Sequence, residues 1–335
     1  MALVSDARLQ ELFSLALEYR TPGLVDLVSN GNVLFSEIKK RGGFATFSGP
    51  TIRERLIYQE SGTYTRYSGF DTLTMLPVEL VNDAVFTPKQ GAVAVVLPMD
   101  EILKNSGENQ LIDTMEVHMK AAERELIDRF TEDMHSAGAE ANQIGGLQMA
   151  IPTTPTNDYG GISRSTNSQW ATTTYDANSL TVAGVAITTV SSTTIKPLYN
   201  YVTIKRSKGK KGPNLILASE EHFLSYSSAT ETIQRINDTT SNGALGQTSL
   251  KYFGGGRSMD IVLEGGIGTA MPSNVTYFID TEALKLRYHP DRNFAAFGGK
   301  RQPLNQDALV QFLGFFCELT LNNPLHVAKL YDSTP

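Results

Sequence analysis

The feature that most constrains this chain is a long helical repeat between residues 109 and 136. Leu111, Met115, Met119, Ala122, Leu126, Phe130 and Met134 recur at spacings of three and four, on one stripe of an α-helix. Glu116, Lys120, Glu123, Arg124, Asp128, Arg129 and Glu132 fill the other sides. Asn105 and Ser106 offer N-cap chemistry, and Gly138 offers a stop. Such a helix is roughly 40 Å long. It is a strut with a single apolar stripe, so the rest of the chain must supply a layer for that stripe to lie on.

The flanking segments read as follows. Residues 6 to 40 hold short helical patterns (Leu9, Leu12, Phe13, Leu15, Leu17), broken at Thr21-Pro22-Gly23 and at Asn30-Gly31-Asn32. A short helix and an extended arm need something else to pack on. Thr51 to Tyr58 and Thr63 to Phe70 are rich in β-branched and aromatic residues, and Gln59-Glu60-Ser61-Gly62 separates them as a turn, which predicts a hairpin. Its faces carry Arg53, Arg55, Tyr58, Tyr64, Arg66 and Tyr67, and neither strand has a clean apolar face. A lone hairpin is marginal in water. The readings are a ribbon that lies on another subunit and an ordinary surface hairpin of a monomer.

Residues 84 to 87 and 92 to 97 are predicted to be extended, and 138 to 191, rich in Gly, Thr, Ser and Asn, to be a long connection. A mixed α/β pattern follows. Helices are predicted at 195–204 and 219–226, the latter capped by Ser219. Strands are predicted at 214–218, 249–253, 260–263, 275–279 and 284–288. Two last strands, 310–321 and 326–331, turn at Asn322-Asn323-Pro324. No internal repeat is present.

Searching for chemistry returns little. The 335 residues are 41% hydrophobic and 19% charged, enough for a sizeable core. A net charge of -6 argues against a dedicated nucleic-acid binder, though not against a protein that encloses nucleic acid. The one cysteine, Cys317, cannot form an intrachain disulfide and reads as a buried apolar residue after Phe315 and Phe316. The start of the chain lacks a basic-then-apolar signal, and no apolar run approaches the ~20 residues of a membrane span. The expectation is a soluble protein made in a cytoplasm.

His118, His135, His222, His289 and His326 are not paired at metal-ligand spacing; on the long helix, His118 and His135 are expected at an interface or in solvent. Gly254-Gly255-Gly256-Arg257-Ser258 lacks the Gly-Lys-Ser/Thr ending of a phosphate loop and reads as a tight turn between strands. Lys205-Arg206-Ser207-Lys208-Gly209-Lys210-Lys211 is the one basic run. It reads as a solvated loop or a charge patch matched to a neighbouring subunit, ahead of a nucleic-acid contact. No catalytic residue, cofactor site or metal site is predicted, and the chain is not expected to be an enzyme.

Two stretches carry a resemblance. Ile144-Gly145-Gly146-Leu147-Gln148-Met149-Ala150-Ile151-Pro152 is followed by Tyr159-Gly160-Gly161-Ile162-Ser163-Arg164-Ser165 and Asn167-Ser168-Gln169-Trp170. Later come Tyr277-Phe278-Ile279-Asp280-Thr281 and Leu284-Lys285-Leu286-Arg287-Tyr288-His289-Pro290-Asp291-Arg292-Asn293-Phe294. Together with Glu101, Lys104-Asn105-Ser106-Gly107 and the helix after them, their order and spacing resemble the major capsid proteins of tailed bacteriophages, which have the Hong Kong 97 phage capsid fold.

The resemblance implies an α+β fold with an N-terminal arm (1–43), an extended E-loop (44–76), and a peripheral domain (77–144) with a spine helix at about 109–136. A glycine-rich connecting segment (145–183), an axial α/β domain (184–299) and C-terminal strands of the peripheral domain (300–335) complete it. The implied function is self-assembly into pentamers and hexamers of an icosahedral procapsid that matures around double-stranded DNA, held without sequence-specific binding. The implied location is the virion, after synthesis in the host bacterial cytoplasm. Arg53, Arg55, Tyr58, Tyr64, Arg66 and Tyr67 are the expected subunit contacts. Expected partners are copies of the chain itself, a portal at one vertex, a decoration protein and, because the arm begins almost at once, a separate scaffolding protein. The nearest alternative is an encapsulin-like shell of a cellular compartment. An α/β enzyme using the loop near Gly254, or a minor phage structural protein, stands further off.

Overall fold

The computed structural model describes residues 32–57, 63–73, 81–100, 108–231, 250–265, 270–301 and 307–333. The first element is α1 (Val33–Lys40), started by Asn32, whose side chain accepts from the Phe35 backbone N–H at 2.7 Å. Strands β1 (Phe44–Thr46), β2 (Ile52–Ile57), β3 (Val81–Phe86) and β4 (Lys89–Pro98) precede the long helix α2 (Glu108–His135). After it come α3 (Leu147–Ala150) and the short strands β5 (Asp158–Tyr159), β6 (Ile162–Ser163), β7 (Thr173–Asp176), β8 (Thr181–Val182) and β9 (Val185–Ala186). Then follow α4 (Ile195–Arg206), β10 (Leu215–Ala218), α5 (Glu220–Glu231), β11 (Leu250–Gly254), β12 (Arg257–Leu263) and β13 (Val275–Ile279). The last strands are β14 (Leu284–Tyr288), β15 (Ala295–Arg301), β16 (Ala308–Leu321) and β17 (Ala328–Tyr331).

Two sheets organise these elements. In the five-stranded sheet, β16 is the backbone. Its 14 residues pair with β4 along one edge and with β15 and then β14 along the other, and β1 adds to β14 in parallel. Helix α2 packs on this sheet. Met119, Ala122, Leu126, Phe130 and Met134, the stripe positions whose side chains are described, are all buried. Phe130 meets Phe35, Phe294 and Phe315 edge-on at 5.0 to 5.5 Å between ring centres. Gly91 is needed beneath this cluster, because a Cβ there would overlap the Phe315 ring.

The six-stranded sheet has the order β11-β12-β10-β13-β17-β7. Its strand β10 (Leu-Ile-Leu-Ala) is buried on both faces, the pattern a continuous apolar run predicts. Ile216 and Ala218 face a core built with Tyr199 and Val202 of α4 and Tyr226 of α5. Leu215 and Leu217 face the opposite core, which is shared with the five-stranded sheet. Asp280 follows β13 directly and Leu284 opens β14, so the chain crosses from one sheet to the other there.

Several expectations change. Residues 63–73 form no strand; the partner of β2 is β3, in the register Arg53↔Val85 and Arg55↔Asp83. The reason is local. Ala84 and Phe86 give β3 a buried face, whereas residues 63–73 turn at Gly69 (φ 63°), with the Ser68 N–H donating to Asp71. The last two predicted strands do not pair with each other: β16 belongs to one sheet and β17 to the other, beside β13. Strands β14 and β15, expected to lie with the axial α/β elements, hydrogen-bond to β16 instead. His135 is neither solvated nor on an outer face; it is buried, with Nε2 3.2 Å from Glu264 Oε1. Helix α1 packs Leu34, Phe35 and Ile38 into the chain's own main core.

Candidate subunit interface

The ribbon of β2 and β3 alternates as a strand must. Ile52, Glu54 and Leu56 point inward and are buried, and Arg53 and Arg55 point outward and are exposed. The inward carboxylate is matched. Glu54 Oε1 accepts from Arg287 Nε at 2.8 Å and Nη2 at 2.5 Å, and Thr320 Oγ1 stands 3.4 Å away. A charge-assisted fork of this kind fixes both position and angle. On the other strand, Phe86 packs on Tyr159 at 4.9 Å, and the Val85 N–H donates to Gly160 O at 2.9 Å. Gly160 has φ 61°, and a Cβ there would press on Ala84 at 2.8 Å, so only glycine admits the close approach.

The glycine-rich stretch supplies the support. Tyr159 donates its hydroxyl toward Leu319 O (3.4 Å) and accepts from the Leu321 N–H (3.1 Å), while Trp170 Nε1 donates to Tyr159 O at 3.0 Å. Arg164 lies over the Tyr159 ring at 4.4 Å and donates to Ala150 O at 2.7 Å and to Asn157 Oδ1 at 3.2 Å. Burial lowers its pKa to about 10, and burial pushes the Tyr159 hydroxyl well above its ordinary value. On β16, next to Leu319, Glu318 Oε1 accepts from the Gly145 N–H at 3.0 Å, and burial raises that carboxyl to about 8. The ribbon's root is thus held by buried polar contacts from three separate parts of the chain.

Beyond the root, the surface changes. Tyr64 is 82% exposed, Tyr67 66%, Phe70 107% and Leu73 50%. Arg66 is exposed among them. Of the six expected contact residues, Arg53 and Arg55 sit on the outer face of β2, and Tyr64, Arg66 and Tyr67 on the exposed segment 63–73. Tyr58 lies outside the described residues. The five described residues are all part of the exposed surface. Phe70 and Leu73 join it without having been anticipated, since sequence reasoning placed the first at a strand end and passed over the second. Among the described residues no group of His, Cys, Asp or Glu could hold a metal ion, and no helix is long and apolar enough to cross a membrane.

No protein-family model matches the chain, and no curated protein does. Solved structures do match. The chain is similar to a subunit of the cyanophage A-1(L) capsid asymmetric unit, with a TM-score of 0.57 at 16% identity over 87% of this chain and 90% of that one. The fold is that of a phage capsid subunit. A chain from the capsid of the native GTA particle agrees, with a TM-score of 0.53 at 9% identity over 89% of this chain and 90% of that one. Identity this low leaves the capsid fold to be carried by the pattern of burial and pairing described above, as the resemblance to Hong Kong 97-type shells implied.

Proposed function

We propose that the chain is a major capsid protein, assembling into the pentamers and hexamers of an icosahedral head around double-stranded DNA. The observation that carries this reading is the surface at residues 63–73 beside the β2–β3 ribbon. Exposed Tyr64, Tyr67, Phe70 and Leu73 with Arg53, Arg55 and Arg66 make an aromatic and arginine-rich face, the composition of a protein contact rather than of a solvated loop. The strands that precede and follow this segment in the chain, β2 and β3, are tied down by Glu54–Arg287 and by Phe86 packed on Tyr159. The similar cyanophage and GTA chains are capsid components by their own descriptions, which supports the same role here.

In this reading, the five-stranded sheet with α2 as spine is the peripheral domain, and the six-stranded sheet with α4 and α5 is the axial one. Residues 44–76, with β3 closing the ribbon, act as the E-loop. The role is structural, with no catalysis, and the place of the protein is the virion. A scaffolding protein, a portal and a decoration protein complete the set of partners. Repeating one modest contact at every copy of a closed symmetric shell sums to a stable particle.

The test is negative-stain electron microscopy with size-exclusion chromatography of the purified chain, with and without its candidate scaffolding partner. Rings, tubes or shells are expected. Nuclease-protected DNA inside particles recovered from the native source supports a phage head, and a protein cargo in its place points to an encapsulin-like shell. A monomer under every condition overturns the assembly reading.

A further inference from the structure

The six-stranded sheet has an electrical polarity. Strands β7, β10, β12 and β17 all run in one direction, since β10 pairs parallel with β12, β17 pairs parallel with β7, and β13 joins β10 to β17 antiparallel to both. At the end where these four strands begin, cations gather. Helix α4 finishes there with Lys205 and Arg206, and Arg206 donates to Thr173 Oγ1 at 2.5 Å at the start of β7. The chain then makes a tight turn. Lys208 and Lys211 exchange backbone hydrogen bonds at 2.8 and 3.1 Å across Gly209, which has φ 61°. Arg257, opening β12, packs against Gly212 and donates to Gly209 O at 3.5 Å. Lys208, Lys210 and Lys211 therefore stand exposed on a braced two-residue turn, and among the described residues none makes an ion pair. The counter-charges at this end are Asp280, which is buried and feels Lys211, exposed Glu282, and Asp260, which is in register with Leu215 and already paired with Arg41.

At the end where the same strands finish, the sign reverses. Asp176 closes β7 and accepts from the Ser333 hydroxyl, while Glu264 after β12 and Asp332 after β17 are buried against His135 and the Val190 N–H. Glu220 and Glu221 form the first turn of α5 directly after β10, and both are exposed. Lys196, at the start of α4, is tied to Ala229 O. The two ends are separated by strands of four to seven residues, roughly 13–23 Å at about 3.3 Å per residue, too far for them to meet within one chain.

We propose that the two ends are halves of one contact, in which the Lys208–Lys211 turn of one copy meets Glu220 and Glu221 of the next, head to tail around a ring. The inference rests on the self-assembly reading and names the partner surfaces within it. Opposite charges on opposite ends of one domain make a heterologous contact, which closes into a ring when its rotation permits. Complementary charge fixes register and rejects wrong pairings more than it adds affinity. A nucleic-acid backbone would match the lysine end alone and repel exposed Glu220 and Glu221 at the other, so a second copy fits more of the surface.

The test is a charge swap in the full chain. The variants are Lys208→Glu/Lys210→Glu/Lys211→Glu, Glu220→Lys/Glu221→Lys, and all five changes together, followed by light scattering and electron microscopy at low and high salt. Each single-end reversal should lower the assembled fraction about tenfold or more at low salt, because like charges then face each other. The five-change chain, and an equimolar mixture of the two single-end variants, should assemble again. The lysines and Glu220 are exposed, so the lysine-end variant should unfold close to the wild type; Glu221 also accepts from the Asn274 N–H at 3.1 Å, so Glu220→Lys alone serves as the control for the acidic end. Should a reversal unfold, the neutral Lys208→Gln/Lys210→Gln/Lys211→Gln chain takes its place, with weaker assembly expected at low salt. Single-end variants that assemble like wild type overturn the contact. So does a loss that neither the combination nor the mixture restores, and so does a lysine-end defect confined to DNA retention in intact shells. A wild-type chain that forms no ring or shell overturns the self-assembly reading itself.

Discussion

Glu54 and Arg287, 233 residues apart in sequence, share one oxygen: Glu54 Oε1 accepts from both Nε and Nη2 of Arg287 at 2.8 and 2.5 Å. The pair fastens the two-stranded ribbon to the end of the five-stranded sheet, because Arg287 lies on β14 and its partner in register is Glu318 of β16. Glu54→Ala would leave the guanidinium facing an empty, partly buried position. A loss of about 2–4 kcal/mol is expected, at the lower side of what one-partner removal from a buried pair costs, because Arg287 keeps some solvent contact. Urea unfolding reads it as a lower midpoint at unchanged slope. A Glu54→Leu/Arg287→Met chain should recover most of the loss.

Glu318 sets a pH dependence. Its folded pKa is raised, from 4.5 to about 8, by burial, with the Gly145 N–H opposing. The folded state therefore holds a proton that the unfolded chain releases above about 4.5. Stability from this group is full below that pH and is lost progressively as pH rises through about 8. Glu318→Gln should flatten the thermal stability profile between these limits. A slope unchanged by the substitution would mean that the carboxyl is ionised in place.

Gly91→Ala should destabilise by about 1–3 kcal/mol, since the new methyl must displace the Phe315 ring from a cluster with Phe130 and Phe294. Phe315→Leu in the same chain should restore part of the loss. Calorimetry of the single and double variants checks the coupling.

Tyr67→Ser/Phe70→Ser should behave in the opposite way. Both rings are exposed, so the unfolding free energy should stay within about 0.5 kcal/mol of wild type. Assembly should fall sharply, as should that of Arg53→Ala/Arg55→Ala/Arg66→Ala. Normal shell yield from both variants would remove segment 63–73 and the outer face of β2 from the interface.

Much of the fold was legible in the sequence because its elements carry their own periodicity. The stripe from Met119 to Met134 lies on the sheet as spaced, α4 begins at Ile195 as expected, and β10 to β14 fall where apolar runs were bounded by turns. The pairing was less legible. Thr63 to Phe70 has the composition of a strand, yet β2 chose Val81–Phe86, because Ala84 and Phe86 fit against Gly160 and Tyr159 from a distant stretch. The alternation Ile52-Arg53-Glu54-Arg55-Leu56 already put Glu54 on the inward face, but nothing local names Arg287 as its partner. Buried His135 and Glu264 were missed for the same reason: each is an ordinary polar residue until the fold joins them.

The place of β17 has a consequence for synthesis. It sits between β13 and β7, and it is the sole neighbour of β7 in that sheet. A ribosome therefore makes residues 173–176 some 150 residues before the strand that will hold them, so β7 has no partner in this sheet until residues 328–331 have emerged. A chain cut short before Ala328 would lack that strand, leaving the β13 edge bare and β7 unattached. If the sheet is a contact surface between copies, truncated products are excluded from the lattice by their own incompleteness, and the order of translation serves as an inspection step before assembly.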